Sequence, residues 1–570
     1  MNLQIRIKVV DLLMTLFFLG TGFLLVIPVF QHGYFVAHDL LPHLNWSYLF
    51  ANQVWSGEFY PRWLHEMNGG RGSPVFFFYG PVPFYFASLF KPLFTHAGNG
   101  WMLLGCGFSL ALGLSGVTAY FWLQGFVRPR ISFIGAVLYM TMPFHLPVEI
   151  FFRFGYAELW ALTWIPLVLH QTRNAAKDEP LAVVKLAVCY SLLVMTHLPA
   201  TLILSPFLLF FGLCVQPKRL GSAVRVAIGL VLGVALSAIY LLPAMMLQDW
   251  VQLEQMTLWH GHFSRNFLLT GEGGPSGDLG FRRYLHLITI YSGFMSLWGF
   301  LMVLWGKNKQ QLKEVTFWSF LLVISFFMMF PVSFPIWSNL PILQKIQFPW
   351  RFNVLVVPGV TALVAIGMES SDRFKGFQKA LVPIMIAVFL LAQILFTTGC
   401  LKERLTNEIG PQDKQIIDHG LQVREGVPEY LPRSVDKKMV AAVRGWSLQP
   451  IGSELRILSG MGGGALREIT PRTLLLDVQA EETVELVVNQ FYFPLWRARE
   501  RTTGEELQIT PSADSLLQLK IPPGNHQIEL SLKKGFVERT GLVLSALALG
   551  VILFWCAIEK RLRKRFPFPK

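Results

Sequence analysis

Long apolar stretches recur through most of this chain, and they leave it few folds. Hydrocarbon offers no water to a peptide group, so a crossing segment must bond its backbone internally, as a helix of about 20 apolar residues does. Stretches of this kind are Val9–Phe30, Trp101–Gly125, Ile131–Ile150, Tyr156–Gln171, Leu181–Thr196, Ala200–Cys214, Ala223–Leu247, Leu285–Trp305, Val315–Ser333, Asn353–Met368, Gln378–Thr398 and Arg539–Ala557. They predict an all-α polytopic membrane protein of about 12 transmembrane helices. The chain is 53% hydrophobic and only 15% charged, against roughly 25% charged in soluble proteins. Arg6 and Lys8 precede the first stretch and no small-residue cleavage site follows it, so it reads as a retained helix and not a removed signal peptide.

The net charge of +14 would point to nucleic acid in a soluble chain. Here the basic residues sit between apolar stretches, at Arg128/Arg130, Arg173/Lys177, Lys218/Arg219/Arg225, Lys307/Lys309/Lys313, Arg373/Lys375/Lys379 and the tail Lys560–Arg565. Basic connections mark the cytoplasmic side of a membrane protein. With the N-terminus inside, all of these clusters fall on that side, so no nucleic-acid partner is expected and both termini are predicted to be cytoplasmic. This register treats Pro74–Phe94 as interfacial or re-entrant, on account of its prolines Pro74, Pro81 and Pro83 and its aromatic run. Counting it as a crossing would invert the register and place Arg128/Arg130 outside. Cys106, Cys189, Cys214 and Cys556 fall within apolar stretches and only Cys400 lies near a polar segment, so neither a disulfide framework nor a CxxC metal site is available. An unstapled outer domain is compatible with a bacterial or archaeal plasma membrane.

Three outer segments are long: Gln31–Gly100, Gln248–Tyr284 and Cys400–Glu538. The last alternates apolar and polar residues with period two at Leu474/Leu476/Val478, Val484/Leu486/Val488, Leu517/Leu519/Ile521 and Ile528/Leu530/Leu532. That pattern predicts a small extracytoplasmic β-sandwich domain near the C-terminus. The expected organisation is a membrane domain over 1–399 that includes the first outer loop 31–100, a β-rich domain over 400–538, and a final helix with a basic tail over 539–570.

Ionisable residues at the ends of membrane helices are costly to bury, which makes them functional candidates. The first outer loop holds His38-Asp39-Leu-Leu-Pro-His43, then Tyr60-Pro61-Arg62-Trp63, then Gly69-Gly70-Arg71-Gly72-Ser73-Pro74 leading into Phe-Phe-Phe-Tyr79-Gly-Pro81. Further strings are Phe-Arg153-Phe-Gly-Tyr156-Ala-Glu158, Thr196-His197-Leu-Pro199 and Gln347-Phe348-Pro349-Trp350-Arg351-Phe352. On the expected register all face one side. These strings resemble the bacterial membrane family described as 6-pyruvoyl-tetrahydropterin-synthase-related, although nothing here resembles a soluble pterin enzyme. That family in turn resembles the GT-C superfamily, whose members transfer sugars from polyprenyl-phosphate donors with an acidic residue in the first outer loop. The resemblance covers roughly residues 9–370. It implies a GT-C-like membrane domain, a polyprenyl-phosphate sugar donor, membrane lipid as surroundings, and an extracytoplasmic glycan, lipid or protein acceptor.

Glycosyl transfer needs a base for the acceptor hydroxyl and positive charge for the departing lipid phosphate. Asp39 is the candidate base; the competing reading is a cap for a helix over Leu41–Trp55. Arg351 beside Trp350 is the candidate phosphate ligand, set against interfacial snorkelling. Arg153 shares that role with Glu158 as partner, or the two form a structural ion pair. Asp39 and His43, four residues apart, are the pair that would touch a divalent cation, and either can equally be structural. His197 is a packed polar residue or a site residue, and Gln347 and Tyr60 join the substrate-binding candidates. Arg62 beside Trp63 reads as a stacked interfacial anchor or as a further substrate contact. Trp259-His260-Gly261-His262 is a flap over a donor site or a solvated loop. Two other functions compete with a glycosyltransferase: a transporter or flippase of a lipid-linked saccharide, and a non-catalytic scaffold for cell-envelope assembly. Transporters place ionisable groups near the bilayer midplane, whereas these helix centres are nearly free of charge.

Overall fold

The computed structural model describes residues 3–32, 37–94, 100–214, 219–258, 261–269, 279–307, 311–406, 411–449 and 455–565. Among them, eight helices are long and apolar enough to cross a membrane: Val9–His32, Gly100–Leu123, Pro129–Phe152, Gly280–Trp305, Leu312–Met329, Pro349–Arg373, Gln378–Leu405 and Phe536–Glu559. Leu220–Leu236 and Ala238–Met246 meet at 71° and make a ninth if taken as one broken span. The protein is thus a multi-pass integral membrane protein, and eight or nine of the twelve expected crossings satisfy length and composition together. The other three are helical as well. Ala182–Val194 and Leu198–Cys214 have only 13 and 17 residues. Tyr156–Ala176 has 21 but carries Glu158, His170 and Arg173.

The 349–373 helix is enclosed on nearly all sides, whereas 9–32, 378–405 and 536–559 are peripheral. Pro74–Phe94 does not form a span. It breaks at its prolines into Val75–Phe78, Val82–Ser88 and Lys91–Leu93, as expected where proline removes a backbone donor. The pieces pack inward: Val82 N–H donates to Met195 O, Tyr156 OH to Pro83 O and Tyr240 OH to Phe78 O.

The basic connections share one face of the bundle and are laced together. Arg128 pairs with Glu369 at 2.9 Å and Asp372 at 2.5 Å, and Arg173 with Glu314 at 2.6 Å. Arg225 donates to the Ala175 and Ala176 carbonyls, Arg373 to those of Gly306 and Lys307, and Gln311 to that of Phe126. The Leu181 N–H donates to Glu559 beside the C-terminal tail. Lys218 and Lys309 lie outside the described residues.

The C-terminal region begins helically, with Pro411–Gln422 and Lys437–Arg444, and then forms two antiparallel sheets. The strands are β1 (Leu455–Ser459), β2 (Gly462–Thr470), β3 (Thr473–Ala480), β4 (Val484–Phe491), β5 (Trp496–Glu500), β6 (Glu506–Leu507), β7 (Ile509–Pro511), β8 (Leu516–Ile521) and β9 (Gly524–Leu532). One sheet has the order β1-β4-β8-β7 and the other β2-β3-β9-β5-β6. The alternating residues read from the sequence are all buried and oppose one another in register, as in Leu476↔Ile528 and Leu486↔Leu519.

This region is clamped to the first outer loop. Gln490 accepts from Trp63 Nε1 at 2.8 Å and donates to the Gly70 carbonyl at 2.6 Å, while Phe491 N–H donates to the Arg71 carbonyl. Gly72 allows the turn, since its φ is +82° and a Cβ there would stand 2.5 Å from the Trp63 ring. A second seam joins Asn45 to the Gly420 and Glu425 carbonyls and Asn68 to the Gly426 N–H.

Candidate functional site

The site grows from an irregular helix end. Pro147 cannot donate a backbone hydrogen bond, and Phe144–Phe152 is wound as a π-helix, with Val148 N–H donating to Pro143 O and Arg153 N–H to Val148 O. Wide turns of this type are frequent at functional sites. The chain then ends the helix by placing Phe154 at φ +58°, and Gly155 N–H reaches back to Glu149 O. Glycine ordinarily takes that left-handed position, and a bulky residue held there costs about 1–3 kcal/mol. The turn sets three groups at once. Arg153 points back at Glu149, its carbonyl accepts the Asp39 N–H at 2.8 Å, and the Phe154 carbonyl bonds His43 Nδ1 at 2.7 Å.

Arg153 is the hub. Its Nη1 donates to Glu149 Oε1 and Oε2 at 2.7 and 2.9 Å and to Glu158 Oε2 at 2.6 Å, and its Nη2 stands 3.5 Å from Asp39 Oδ2. The guanidinium also covers the Trp350 ring, 4.8 Å from its centroid. Arg351 enters from the start of the enclosed 349–373 helix. Its Nη1 donates to Ile346 O at 2.7 Å and Gln347 Oε1 at 3.1 Å, and its Nε, 3.5 Å from Glu158 Oε2, is buried without a hydrogen-bond partner among the described residues. Gln347, itself at φ +67°, donates through Nε2 to Met256 O. Glu158 Oε1 and Trp350 Nε1 are buried without hydrogen-bond partners among the described residues. Asp39 occupies the N-cap position of Leu40–Trp55 but makes no side-chain cap bond, and its side chain is 42% exposed.

The first outer loop, the Arg153 turn and the QFPWRF string therefore converge on one place. A roof from the C-terminal region covers it. Tyr430 packs on Phe78, Trp46 and Tyr79, and the turn that carries it is pinned by Gln252, whose N–H and side chain donate to the Leu431 and Pro432 carbonyls. Burial raises the Glu429 carboxyl to about 7, with Asp39 acting in the same direction.

The other candidates separate. His197 lies within electrostatic reach of Glu158, Arg351 and Arg153, and its Nδ1 accepts the Ala200 N–H. His43 is occupied at both ring nitrogens, by Phe154 O and by Tyr79 OH at 3.1 Å, and no three His, Cys, Asp or Glu residues are grouped for a metal among the described residues. The divalent-cation expectation for Asp39 and His43 thus does not fit this arrangement, and no step is derived through a cation. Arg62 is not a surface anchor. It is buried, pairs with Glu538 at 2.9 Å, donates to Ile239 O and covers the Tyr60 ring at 3.9 Å. Tyr60 and Arg62 belong to a separate network with Glu58 and Arg472. Of the histidine string, Trp259 and His260 lie outside the described residues, and His262 bonds Ser264.

Sequence reasoning missed Glu149, which lay inside an expected crossing; its i, i+4 spacing to Arg153 was the available signal. It also missed Tyr79 as the His43 partner and the roof residues Glu429 and Tyr430, which are remote in sequence.

A family model for the 6-pyruvoyl-tetrahydropterin synthase related domain, described as a membrane protein, matches residues 76–401, more than half of the chain. No curated protein matches. The matched span contains Tyr79, Glu149, Arg153, Glu158, His197 and Arg351, while Asp39 precedes it. The chain belongs to this family of 6-pyruvoyl-tetrahydropterin-synthase-related membrane proteins.

Proposed function

We propose that this protein is an integral membrane glycosyltransferase of GT-C type, moving a sugar from a polyprenyl-phosphate donor to a glycan, lipid or protein acceptor outside the cell. The observation that carries the reading is that a half-exposed carboxylate, Asp39, and the buried Arg351 flank one charged cluster, Asp39 beside Arg153 and Arg351 beside Glu158, with Arg351 Nε lacking a hydrogen-bond partner among the described residues. In the proposed step Asp39 takes the proton of the acceptor hydroxyl. The acceptor oxygen then bonds to the anomeric carbon as the bond from that carbon to the phosphate oxygen breaks. The electron pair leaves with the lipid phosphate, which Arg351 steadies. Arg153 is a positioning residue, because its donors already meet Glu149, Glu158 and Asp39.

The same reading places the laced basic face in the cytoplasm and the β region and site outside, in a bacterial or archaeal plasma membrane with about twelve crossings. A scaffold has no need of converging buried charges. A transporter reading gains no support from a cluster roofed by a turn of the C-terminal region. The test is a panel of polyprenyl-phosphate sugars given to the purified protein in nanodiscs with candidate acceptors. Release of polyprenyl phosphate that depends on acceptor is expected; a protein that moves intact lipid-linked sugar between leaflets without cleaving it would overturn the reading.

A further inference from the structure

The Leu40–Trp55 helix, which has Asp39 at its N-cap, meets the ends of membrane spans at three points along its course. At its start, Asp39 N–H donates to the Arg153 carbonyl, one residue past the Pro129–Phe152 span. Midway, Tyr48 and the Leu44 carbonyl close on Gly100, the first residue of the Gly100–Leu123 span, where a Cβ would stand 3.5 Å from Tyr48 Cβ. Just past its far end, Glu58 accepts from Arg472 Nε, and Arg472 Nη1 stands 3.9 Å from Glu538 Oε1 in the first turn of the Phe536–Glu559 span. The Gly100–Leu123 span leads away from this side and the Pro129–Phe152 span returns to it, so all three are span mouths on the side of the β region. The helix, about 24 Å long, therefore lies along the boundary of the hydrocarbon.

At Trp55 that boundary carries an apolar edge. Trp55, Phe59, Leu89 and Leu93 are 58%, 82%, 62% and 72% exposed, and Phe536 is 84% exposed. Hydrogen bonds join the first three: Trp55 Nε1 donates to Ser88 O beside Leu89, Tyr85 OH donates to Phe59 O, and Leu89 N–H donates to Tyr85 O. Lys91, between Leu89 and Leu93, covers at 4.8 Å the Tyr48 ring that closes on Gly100. The edge thus runs from one span mouth toward another, where Glu58 beside Phe59 meets Arg472. Single exposed apolar residues are ordinary, whereas a joined edge of Trp, Phe and Leu at this height has the composition of an interfacial belt. We infer that residues 55–59 and 89–93 dip into the lipid leaflet on the side of the β region, as an anchor separate from the crossing helices. Lipid is the occupant because the edge is bracketed by span mouths, where the hydrocarbon already begins. The anchor holds the far end of the helix that carries Asp39 at its N-cap, and so sets the depth of Asp39 against the headgroups. It stands whatever reaction the site performs.

The test uses the full chain in phosphatidylcholine liposomes, with a nitroxide attached at Phe59→Cys or at Leu93→Cys and the signal of the unsubstituted protein subtracted. Both side chains are exposed, so neither substitution removes packing. Power saturation compares the access of oxygen, which partitions into hydrocarbon, with that of a water-soluble nickel chelate. Leu297→Cys, on an exposed face of the Gly280–Trp305 span, sets the lipid value, and Ala513→Cys, exposed on the β7–β8 hairpin, sets the water value. Both anchor positions should give an oxygen-to-chelate ratio at least several-fold above that of Ala513→Cys, on the side of Leu297→Cys. A ratio equal to that of Ala513→Cys at either position would place the edge in water and overturn the anchor. Shielding from both reagents would overturn it in favour of a protein cover, and spin–spin broadening between labels would identify that cover as a second copy of the chain.

Discussion

Arg153 meets three carboxylates, two of them buried with it. Removing a partner from such a group leaves an uncompensated buried charge, so its geometry is better probed through a neighbour. Gly155 is that neighbour, because a Cβ there would stand 2.2 Å from Glu149 Oε2. Gly155→Ala should push the Glu149 carboxylate off Arg153 and shift Asp39 with it. A misplacement of this size costs about 10²-fold in turnover, read as kcat for acceptor-dependent release of polyprenyl phosphate, with thermal unfolding monitored to confirm a folded protein. Arg351→Lys keeps the charge and loses the planar fork. It should lower kcat/KM by ~10²–10³-fold, as loss of a charge-stabilising donor does, and near-wild-type turnover would remove Arg351 from the phosphate role. At this scale the sequence was informative where a residue type is costly to bury, as at Glu158 and Arg351. It signalled Arg153's allegiance to Glu149 only through their i, i+4 spacing, inside a stretch that reads as a plain crossing.

The seams between elements carry their own tests. Arg62 and Glu538 join the first outer loop to the last helix as a buried pair, so Arg62→Ala should destabilise the protein by about 3–5 kcal/mol, measured by denaturant unfolding in micelles. Glu425 sits in the seam that joins Asn45 and Asn68 to the C-terminal region, and its Oε1 accepts the Leu448 N–H. Burial raises its carboxyl to about 7 from an ordinary 4.5. A raised carboxyl pKa means the folded state holds a proton that the unfolded state has released, so stability is greatest below about 4.5 and falls as pH rises toward 7. Glu425→Gln should flatten that fall and raise the melting temperature at pH 8 relative to the wild type; an unchanged pH profile would refute it. The strands here were legible because period-two alternation is local, and Leu476, Leu486, Leu519 and Leu530 are all buried. The helical lead-in over Pro411–Gln422 and Lys437–Arg444 was not, since those short amphipathic pieces take their place from packing.

Across the whole molecule, one face holds the laced basic connections and the first outer loop is clamped to the C-terminal sheets. A cysteine at the exposed Ala513, on the β7–β8 hairpin, should label with a membrane-impermeant maleimide in intact cells; labelling only after permeabilisation would reverse the orientation. The crossings were legible from apolar length, except where charge or brevity interrupts it, as at Tyr156–Ala176 and Ala182–Val194. The convergence of the strings was legible only as a shared side, because contacts across more than a hundred residues have no local signal, and the roof at Tyr430 had none at all. The central claim is that Asp39 acts on the acceptor hydroxyl. Its most direct measurement compares wild type with Asp39→Asn for both polyprenyl-phosphate-sugar binding and acceptor-dependent release of polyprenyl phosphate. Binding should persist while release falls by about 10²–10⁴-fold; release within a few-fold of wild type would contradict the account.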